Sequence, residues 1–150
     1  MEFLQQSDFL PVCDNATLAV IDQSNTDTLN RAEAYAIEEV SSYCRSRYNI
    51  AAEYAKTIAP SADAEQPTDI RNPLLVMRTV DIALYHLVSW LPKRIGFEIR
   101  ELRYNAAIEW LRQVQKGEVV PNFETLADTD NGGINTPFMA AGQPLSKYDY

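Results

Sequence analysis

Few side chains in this sequence could take part in catalysis, and they are far apart. His86 is the single histidine, Asp81 lies on the same apolar stretch, and Cys13 and Cys44 are the two cysteines. A histidine beside a carboxylate can act as a general base, and a cysteine beside a histidine can act as a nucleophile. No serine or cysteine nucleophile is placed next to His86, and the sequence has no glycine-rich phosphate loop, GxSxG, HExxH or CxxC motif. We therefore expect no enzymatic activity and a His86 that is hydrogen-bonded within the fold.

Structural roles are the favoured interpretation of the same residues. Two distant cysteines and one histidine cannot form a metal site, so neither a metal nor another cofactor is expected. The first 13 residues lack a secretion signal, and Cys13 and Cys44 are therefore interpreted as buried free thiols. Asp81 is expected to pair with Arg47 or Arg103 from a neighbouring helix, because a buried carboxylate needs a partner to stay ionised. An enzyme that uses His86 with Asp81 is the third-ranked alternative, and it would require a pocket that holds both.

The element that must position these groups is the stretch PLLVMRTVDIALYHLVSWL, residues 73–91. Asn72 is a candidate N-cap and Pro73 suits the first helical position. Apolar side chains fall on nearly every side, which predicts a buried central helix. Its length also fits a membrane span, but three ionisable residues inside it would be costly in lipid, so no membrane association is expected.

Two further long helices are predicted from apolar residues spaced by three or four positions, at 26 or 27 to about 48 and at 95 or 97 to 116. Gly117 is a suitable stop for the second. The predicted inner stripe of the first helix is Leu29, Ala32, Ala36, Val40, Tyr43 and Arg47. The predicted inner stripe of the second is Ile95, Ile99, Leu102, Ala106, Trp110 and Val114, with Ala107 and Leu111.

Two short helices complete the predicted fold, one near residues 7–10 and one over 15–21 that begins after Asp14. Residues 49–72 lose the helical period and contain Pro60 and Pro67. They are interpreted as a surface loop with one helical turn near 51–55. No stretch has a convincing strand pattern. The fold class is therefore all-α, a small bundle of three long and about two short helices with an extended C-terminal arm.

The C-terminal arm is predicted over residues 121–150, following a helical domain of residues 1–120. It contains isolated apolar residues but not enough of them to form a core. An arm that lies along a neighbouring subunit or another partner accounts for both facts, and a frayed terminus is the alternative. Its candidate partner-binding residues are Phe123, Leu126, Ile134, Phe138, Met139, Leu145, Tyr148 and Tyr150.

The net charge of −8 is unevenly distributed, with −7 in residues 1–40, +3 in residues 41–117 and −4 in residues 118–150. This division favours contact between an acidic face of one copy and a basic face of another. It argues against a protein that grips nucleic acid through a basic groove. Ordinary solvated helix faces are the alternative explanation.

The order of three segments resembles a known family. SSYCRSRY (41–48), DIALYHL (81–87) and RYNAAIEWLRQVQKGEVV (103–120) are similar to the head-to-tail adaptor proteins of tailed bacteriophages, also called connector or head-completion proteins, with which Mu-type virion proteins belong. The resemblance covers about residues 1–120. The structural residues singled out on these segments are Arg47, Asp81, Tyr85, Arg103 and Trp110.

The resemblance implies a non-enzymatic virion protein at the neck, assembled in the bacterial cytoplasm. By this resemblance, such subunits are expected to form a homo-oligomeric ring of twelve copies beneath the portal protein and to join the capsid to tail or stopper proteins. Packaged DNA would pass through the lumen without sequence-specific binding, and acidic segments could line that channel. The 49–72 loop and the acidic tail are longer than in the typical pattern. A cytosolic, dimeric helical module with a binding or regulatory role is the alternative.

Overall fold

A computed structural model of the chain describes residues 3–21, 25–59, 68–90 and 96–126. These ranges form a helical bundle with a single two-stranded antiparallel pair, in agreement with the predicted fold class. The helices are α1 (Gln6–Phe9), α2 (Asn15–Ile21), α3 (Thr26–Cys44), α4 (Ile50–Ala55), α5 (Pro73–Ser89) and α6 (Phe97–Lys116). The strands are β1 (Ile58–Ala59) and β2 (Thr68–Asp69).

Helix α5 is the centre of the bundle, as predicted. Asn72 caps it, because its Oδ1 accepts hydrogen bonds from the backbone N–H groups of Leu74 and Leu75 at 3.0 and 3.2 Å. Pro73 occupies the first turn. Helix α5 packs against both α3 and α6. Its buried residues are Leu75, Thr79, Val80, Asp81, Ile82, Ala83, Leu84, Leu87 and Val88.

Helix α3 buries most of the predicted stripe. Leu29, Ala32, Ala36 and Val40 lie in the core, and the small alanines allow close approach to α5. The helix ends at Cys44, four residues before the predicted end, and the chain turns through residues 45–47. Tyr48, four residues after Cys44, is also buried, although it lies in extended backbone. The spacing of buried residues therefore continues beyond the end of the helix.

The inner stripe predicted for α6 was partly wrong. Ile99, Leu102 and Ala106 are exposed, whereas the buried face comprises Arg100, Ala107, Ile108, Leu111 and Val114. Val114, Ala107 and Leu111 were predicted correctly, Trp110 is half-buried, and Ile95 lies outside the described residues. The prediction was wrong because α6 has apolar residues on two adjoining faces. Gly117 ends the helix at φ 81°, as predicted.

Residues 49–72 are more than a surface loop. Helix α4 and the β1–β2 pair lie within this segment, and neither strand was predicted. Glu53 is fully buried and Arg71 is nearly so. Both therefore belong to the body of the protein rather than to an excursion from it.

The two short helices agree closely with prediction. Helix α2 has the predicted bounds, and Asp14 Oδ1 accepts a hydrogen bond from Thr17 N at 2.8 Å. Helix α1 begins after Gln5 rather than at Ser7. There Asp8 Oδ2 accepts from Gln5 N at 2.7 Å, which closes the first turn.

Candidate assembly surfaces

The ion pair predicted for Asp81 is formed between α5 and α6. Arg103 Nε donates to Asp81 Oδ1 at 2.7 Å, and Arg78 Nη1 lies 3.8 Å from Asp81 Oδ2. Burial raises the pKa of Asp81 above its ordinary value, although Arg103, Arg78 and Arg100 oppose this shift. The pairing with Arg103 is confirmed. Arg47, the other predicted partner, instead lies against Gly117, where an added Cβ would come within 2.5 Å of its Nη2.

Aromatic residues fill the rest of the α5–α6 contact. Tyr85 and Tyr104 are stacked, with ring centroids 4.0 Å apart. The Arg78 guanidinium lies over the Trp110 ring, 5.7 Å from its centroid. Tyr85 and Trp110, which we singled out as structural, therefore hold the two helices together.

His86 lies apart from Asp81. His86 Nε2 is 3.0 Å from Glu39 Oε2 on α3, and Tyr104 Oη donates to Glu39 Oε1 at 2.6 Å. The hydrogen bond with His86 is the main cause that lowers the pKa of Glu39. Five residues at 100° each place His86 and Asp81 about 140° apart around α5. The His86–Asp81 pair required by the enzyme alternative is therefore not brought together.

The two thiols and two clefts formed by the described residues lie apart from His86 and Asp81. Cys13 and Cys44 are free and buried, and burial raises the pKa of both thiols, that of Cys44 to about 11. A thiol with a raised pKa is a poor nucleophile at neutral pH. One cleft is lined by Asn25, Asp27, Thr28, Arg31, Tyr35 and Trp90, and another by Gly96, Phe97, Glu98 and Ile99. Neither cleft includes His86, Asp81 or a cysteine.

The segment after α6 is joined to the body of the protein up to residue 126. Phe123 is 7 % exposed and packs edge-to-face on Tyr48 and Trp110, with centroids 5.6 and 6.3 Å away. Glu53 Oε1 accepts from Glu124 N at 2.8 Å, and Asn49 N donates to Glu124 O at 2.8 Å. Phe123 is therefore a core residue of its own chain, which corrects its placement on a free arm.

Of the other predicted arm residues, Leu126 is partly exposed at 38 % and ends the described segment. The remaining ones, Ile134, Phe138, Met139, Leu145, Tyr148 and Tyr150, lie outside the described residues.

The N-terminal segment is held by two charged residues that the sequence analysis did not identify. Arg71 Nη1 donates to Phe3 O at 2.6 Å and to Asp8 Oδ2 at 2.7 Å. Glu33 Oε1 accepts from the backbone N–H groups of Phe3 and Leu4 at 3.0 and 2.6 Å. Glu33 had a detectable signal, because it lies four residues after Leu29 on the inner side of α3. No signal in the sequence marked Arg71 as buried, since no periodic pattern of apolar residues surrounds it.

Two groups of exposed apolar side chains have no cover among the described residues. We call Ile99, Leu102 and Ala106 the α6 outer face, on which Ile99 is 59 % and Leu102 71 % exposed. We call Tyr35 and Trp90 the aromatic corner, which lies where α3 passes the end of α5. Their rings meet edge-to-face at 6.0 Å, and the side chains are 53 % and 42 % exposed. Patches of neighbouring exposed apolar side chains are typical of surfaces that contact another protein.

Within the described residues, no cluster of three or more histidine, cysteine, aspartate or glutamate side chains is arranged to hold a metal ion. None of the helices in those ranges has the length and apolar character needed to cross a bilayer.

Comparison with known proteins gave one match. A family model described as "Bacteriophage Mu, Gp36" matches residues 2–136, which include all of the described residues. Comparisons with curated proteins and with solved structures gave no match.

Proposed function

The chain belongs to the bacteriophage Mu Gp36 family, and from this premise we propose that it is a structural protein of the virion, acting as a head-to-tail adaptor. The observation that carries the proposal is the family match over residues 2–136 of a chain that resembles adaptors in the order of its segments. A Mu-type phage protein with a small helical fold suits an architectural role in the particle. Catalysis would need a pocket that unites reactive groups, and His86 and Asp81 lie on different sides of α5.

In this proposal, copies of the chain form a ring beneath the portal, with twelve subunits as the expected number. The ring extends the DNA channel and offers its far side to tail or stopper proteins. Its acidic segments repel phosphate groups, so packaged DNA moves through without being bound. The α6 outer face and the aromatic corner support the proposal, because each provides exposed apolar area suited to a protein contact.

The C-terminal residues beyond 126 act as the arm that attaches each subunit to its neighbour or to the portal. The body contacts of Phe123 and Glu124 determine how this role must be tested. A chain shortened after Val120 would lose core packing as well as the arm. A chain shortened after Leu126 removes the arm alone.

The test is electron cryo-microscopy of the purified chain mixed with the portal protein of the same phage, full-length and shortened after Leu126. We expect a ring on the portal with the full chain and its loss with the shortened chain, whose melting temperature should be unchanged. Absence of any complex with the full chain, together with absence of the protein from purified particles, would refute the adaptor role.

The second candidate is a dimeric helical module with a binding or regulatory role in the host cytosol. The exposed α6 outer face is the observation that favours it, because a patch of exposed apolar side chains can also join two copies as a dimer. It predicts a compact dimer of the free chain in solution that does not need the residues beyond 126. Sedimentation of both chain lengths, with particle composition measured by mass spectrometry, separates the two candidates.

A further inference from the structure

Helix α6 carries more apolar surface than the described bundle covers. Ala107 and Leu111 are buried on one face, while Ile99, Leu102 and Ala106 form the exposed outer face. At 100° per residue these three side chains fall within an arc of about 60° and make a continuous stripe over two turns. A single apolar face is sufficient to attach a helix to a bundle, so the second face is available for a partner.

Basic groups border the outer face on the side of α5. Arg103 follows Leu102, and Arg78 and Arg100 join it around the single carboxylate of Asp81. Three arginines around one carboxylate give this edge a positive excess, and the side chains of Arg78 and Arg103 are partly exposed there, which favours an acidic partner surface. Carboxylates lie on the opposite edge of the stripe, at Glu98, Glu101 and Glu109.

The aromatic corner has the complementary character. Helix α3, which carries Tyr35, has four acidic residues and one basic residue. Asp27 and Glu38 are exposed on it, although Arg45 pairs with Glu38 at 2.7 Å. Aromatic side chains beside carboxylates suit a partner that presents aliphatic groups beside arginines.

The α6 outer face points away from α3, the helix that carries Tyr35 of the aromatic corner. Tyr104 Oη reaches Glu39, so this side of α6 faces α3. Leu102 precedes Tyr104 by two residues, which places it about 200° away around the helix. One chain therefore cannot join its own two surfaces. A contact between different surfaces of identical subunits is head-to-tail, and it closes into a ring when the rotation permits.

We propose that the α6 outer face binds the aromatic corner of a second copy of this chain, with Leu102 against Tyr35 and Trp90 and with Arg78 and Arg103 toward the acidic side of α3. The proposal rests on the proposed ring and adds to it the lateral contact between subunits. A symmetric dimer through α6 would instead bring Leu102 of one copy against Leu102 of the other, an outcome that cross-linking of the Leu102→Cys single variant detects.

The test is chemical cross-linking of a Leu102→Cys, Tyr35→Cys double variant of the full chain in purified particles, with a short bismaleimide. Each subunit then offers one thiol to each neighbour, so we expect a ladder of covalent dimers, trimers and larger species. Each single variant should give no ladder. The native Cys13 and Cys44 are buried, and the unmodified chain measures their background.

A Gln115→Cys, Tyr35→Cys variant is the matched control. Gln115 is exposed on the same helix but lies nine residues from Ala106, about 180° around α6 from the outer face. We expect it to give at least tenfold less ladder than the test variant. Equal ladders, dimers from Leu102→Cys alone, or cross-links from Leu102→Cys to a different protein would each overturn the proposed contact.

The proposed contact and the proposed function fail in distinguishable ways. If mass spectrometry finds the chain in particles but the double variant gives no ladder, the lateral contact is wrong and the virion role stands. If the chain is absent from particles, the virion role itself is wrong. A Leu102→Asp variant provides a second measurement, because Leu102 is exposed and its loss should leave melting unchanged. Incorporation of this variant into particles should fall at least tenfold, and normal incorporation would contradict the contact.

Discussion

At the scale of single residues, the Asp81–Arg103 pair is the contact with the clearest energetic consequence. Asp81 is buried, and Arg103 Nε donates to it at 2.7 Å. Arg103→Ala leaves a buried carboxylate with only the more distant Arg78 and Arg100. We expect a loss of about 2–3 kcal/mol in the free energy of unfolding, below the range for a fully buried pair because Arg103 is partly exposed.

Urea unfolding measures this loss, and Arg112→Ala is its control. Arg112 lies 3.8 Å from Glu109 with both side chains more than half exposed. Removal of that contact should change the free energy of unfolding by less than about 0.5 kcal/mol. Equal effects of the two substitutions would contradict the interpretation of Asp81 as a buried ion that depends on Arg103.

Glu39 provides a prediction about pH. The hydrogen bond with His86 is the first cause that lowers the pKa of Glu39 below its unfolded value of 4.5. The ionised carboxylate therefore stabilises the fold above pH 4.5, and this contribution is lost as the pH falls through the lower folded value. Glu39→Gln should cost about 1 kcal/mol at pH 7. The difference from the unmodified chain should shrink as the pH falls from 4.5 through the lower pKa of the folded state.

Chemical unfolding of both chains at a series of pH values checks this expectation. The difference between the chains isolates Glu39, because other carboxylates with lowered pKa values, such as Asp69, titrate in both. A difference that stays constant from pH 7 to pH 3 would show that the ionised form of Glu39 has no special role.

At the scale of secondary structure elements, the segment after α6 determines where the body ends. Phe123 is buried between Tyr48 and Trp110, whereas Leu126 is 38 % exposed three residues later. Phe123→Ala should reduce the free energy of unfolding by about 3 kcal/mol, and Leu126→Ala by less than about 0.5 kcal/mol. Thermal and urea unfolding of the two variants compare them directly. Similar losses in the free energy of unfolding for the two variants would show that Phe123 belongs to the arm rather than to the core.

The helices could be predicted from the sequence where local chemistry decides them. The caps at Asn72 and Asp14 and the stop at Gly117 were identified from residue type and spacing. The partner of Asp81 could be predicted because few basic residues lie on neighbouring helices. These features depend on hydrogen bonds or charges that have few alternatives.

The orientation of α6 could not be predicted in the same way. Its two apolar faces adjoin, and periodicity assigns equal weight to Leu102 and Leu111. Only the packing against α5 selects the face with Leu111. Glu53 escaped prediction because the backbone of Glu124 that it binds is far away in sequence. Arg71 has a local partner in Asp69, but its contacts with Phe3 O and Asp8 are also far away in sequence. A backbone partner leaves no pattern of residue types.

At the scale of the whole molecule, the proposed function predicts that His86 is dispensable for the particle. His86→Gln keeps a side chain that can hydrogen-bond Glu39 and removes the imidazole that a general base would need. We expect unchanged incorporation of the variant into particles and an unchanged particle yield. Plaque counts and particle composition provide the measurements. A loss of infectivity with normal incorporation would revive a catalytic role for His86.

The segment 49–72 ties both ends of the described chain to its middle. Glu53 holds the backbone at residue 124, and Arg71 holds the backbone at residue 3, across 71 and 68 positions of sequence. Contacts of such long range form late in folding. During synthesis, a nascent chain has its N-terminal contact with Arg71 available well before residues 121–126 have left the ribosome. The subunit thus completes its fold only after residues 121–126 have emerged, which delays its association with other copies until then.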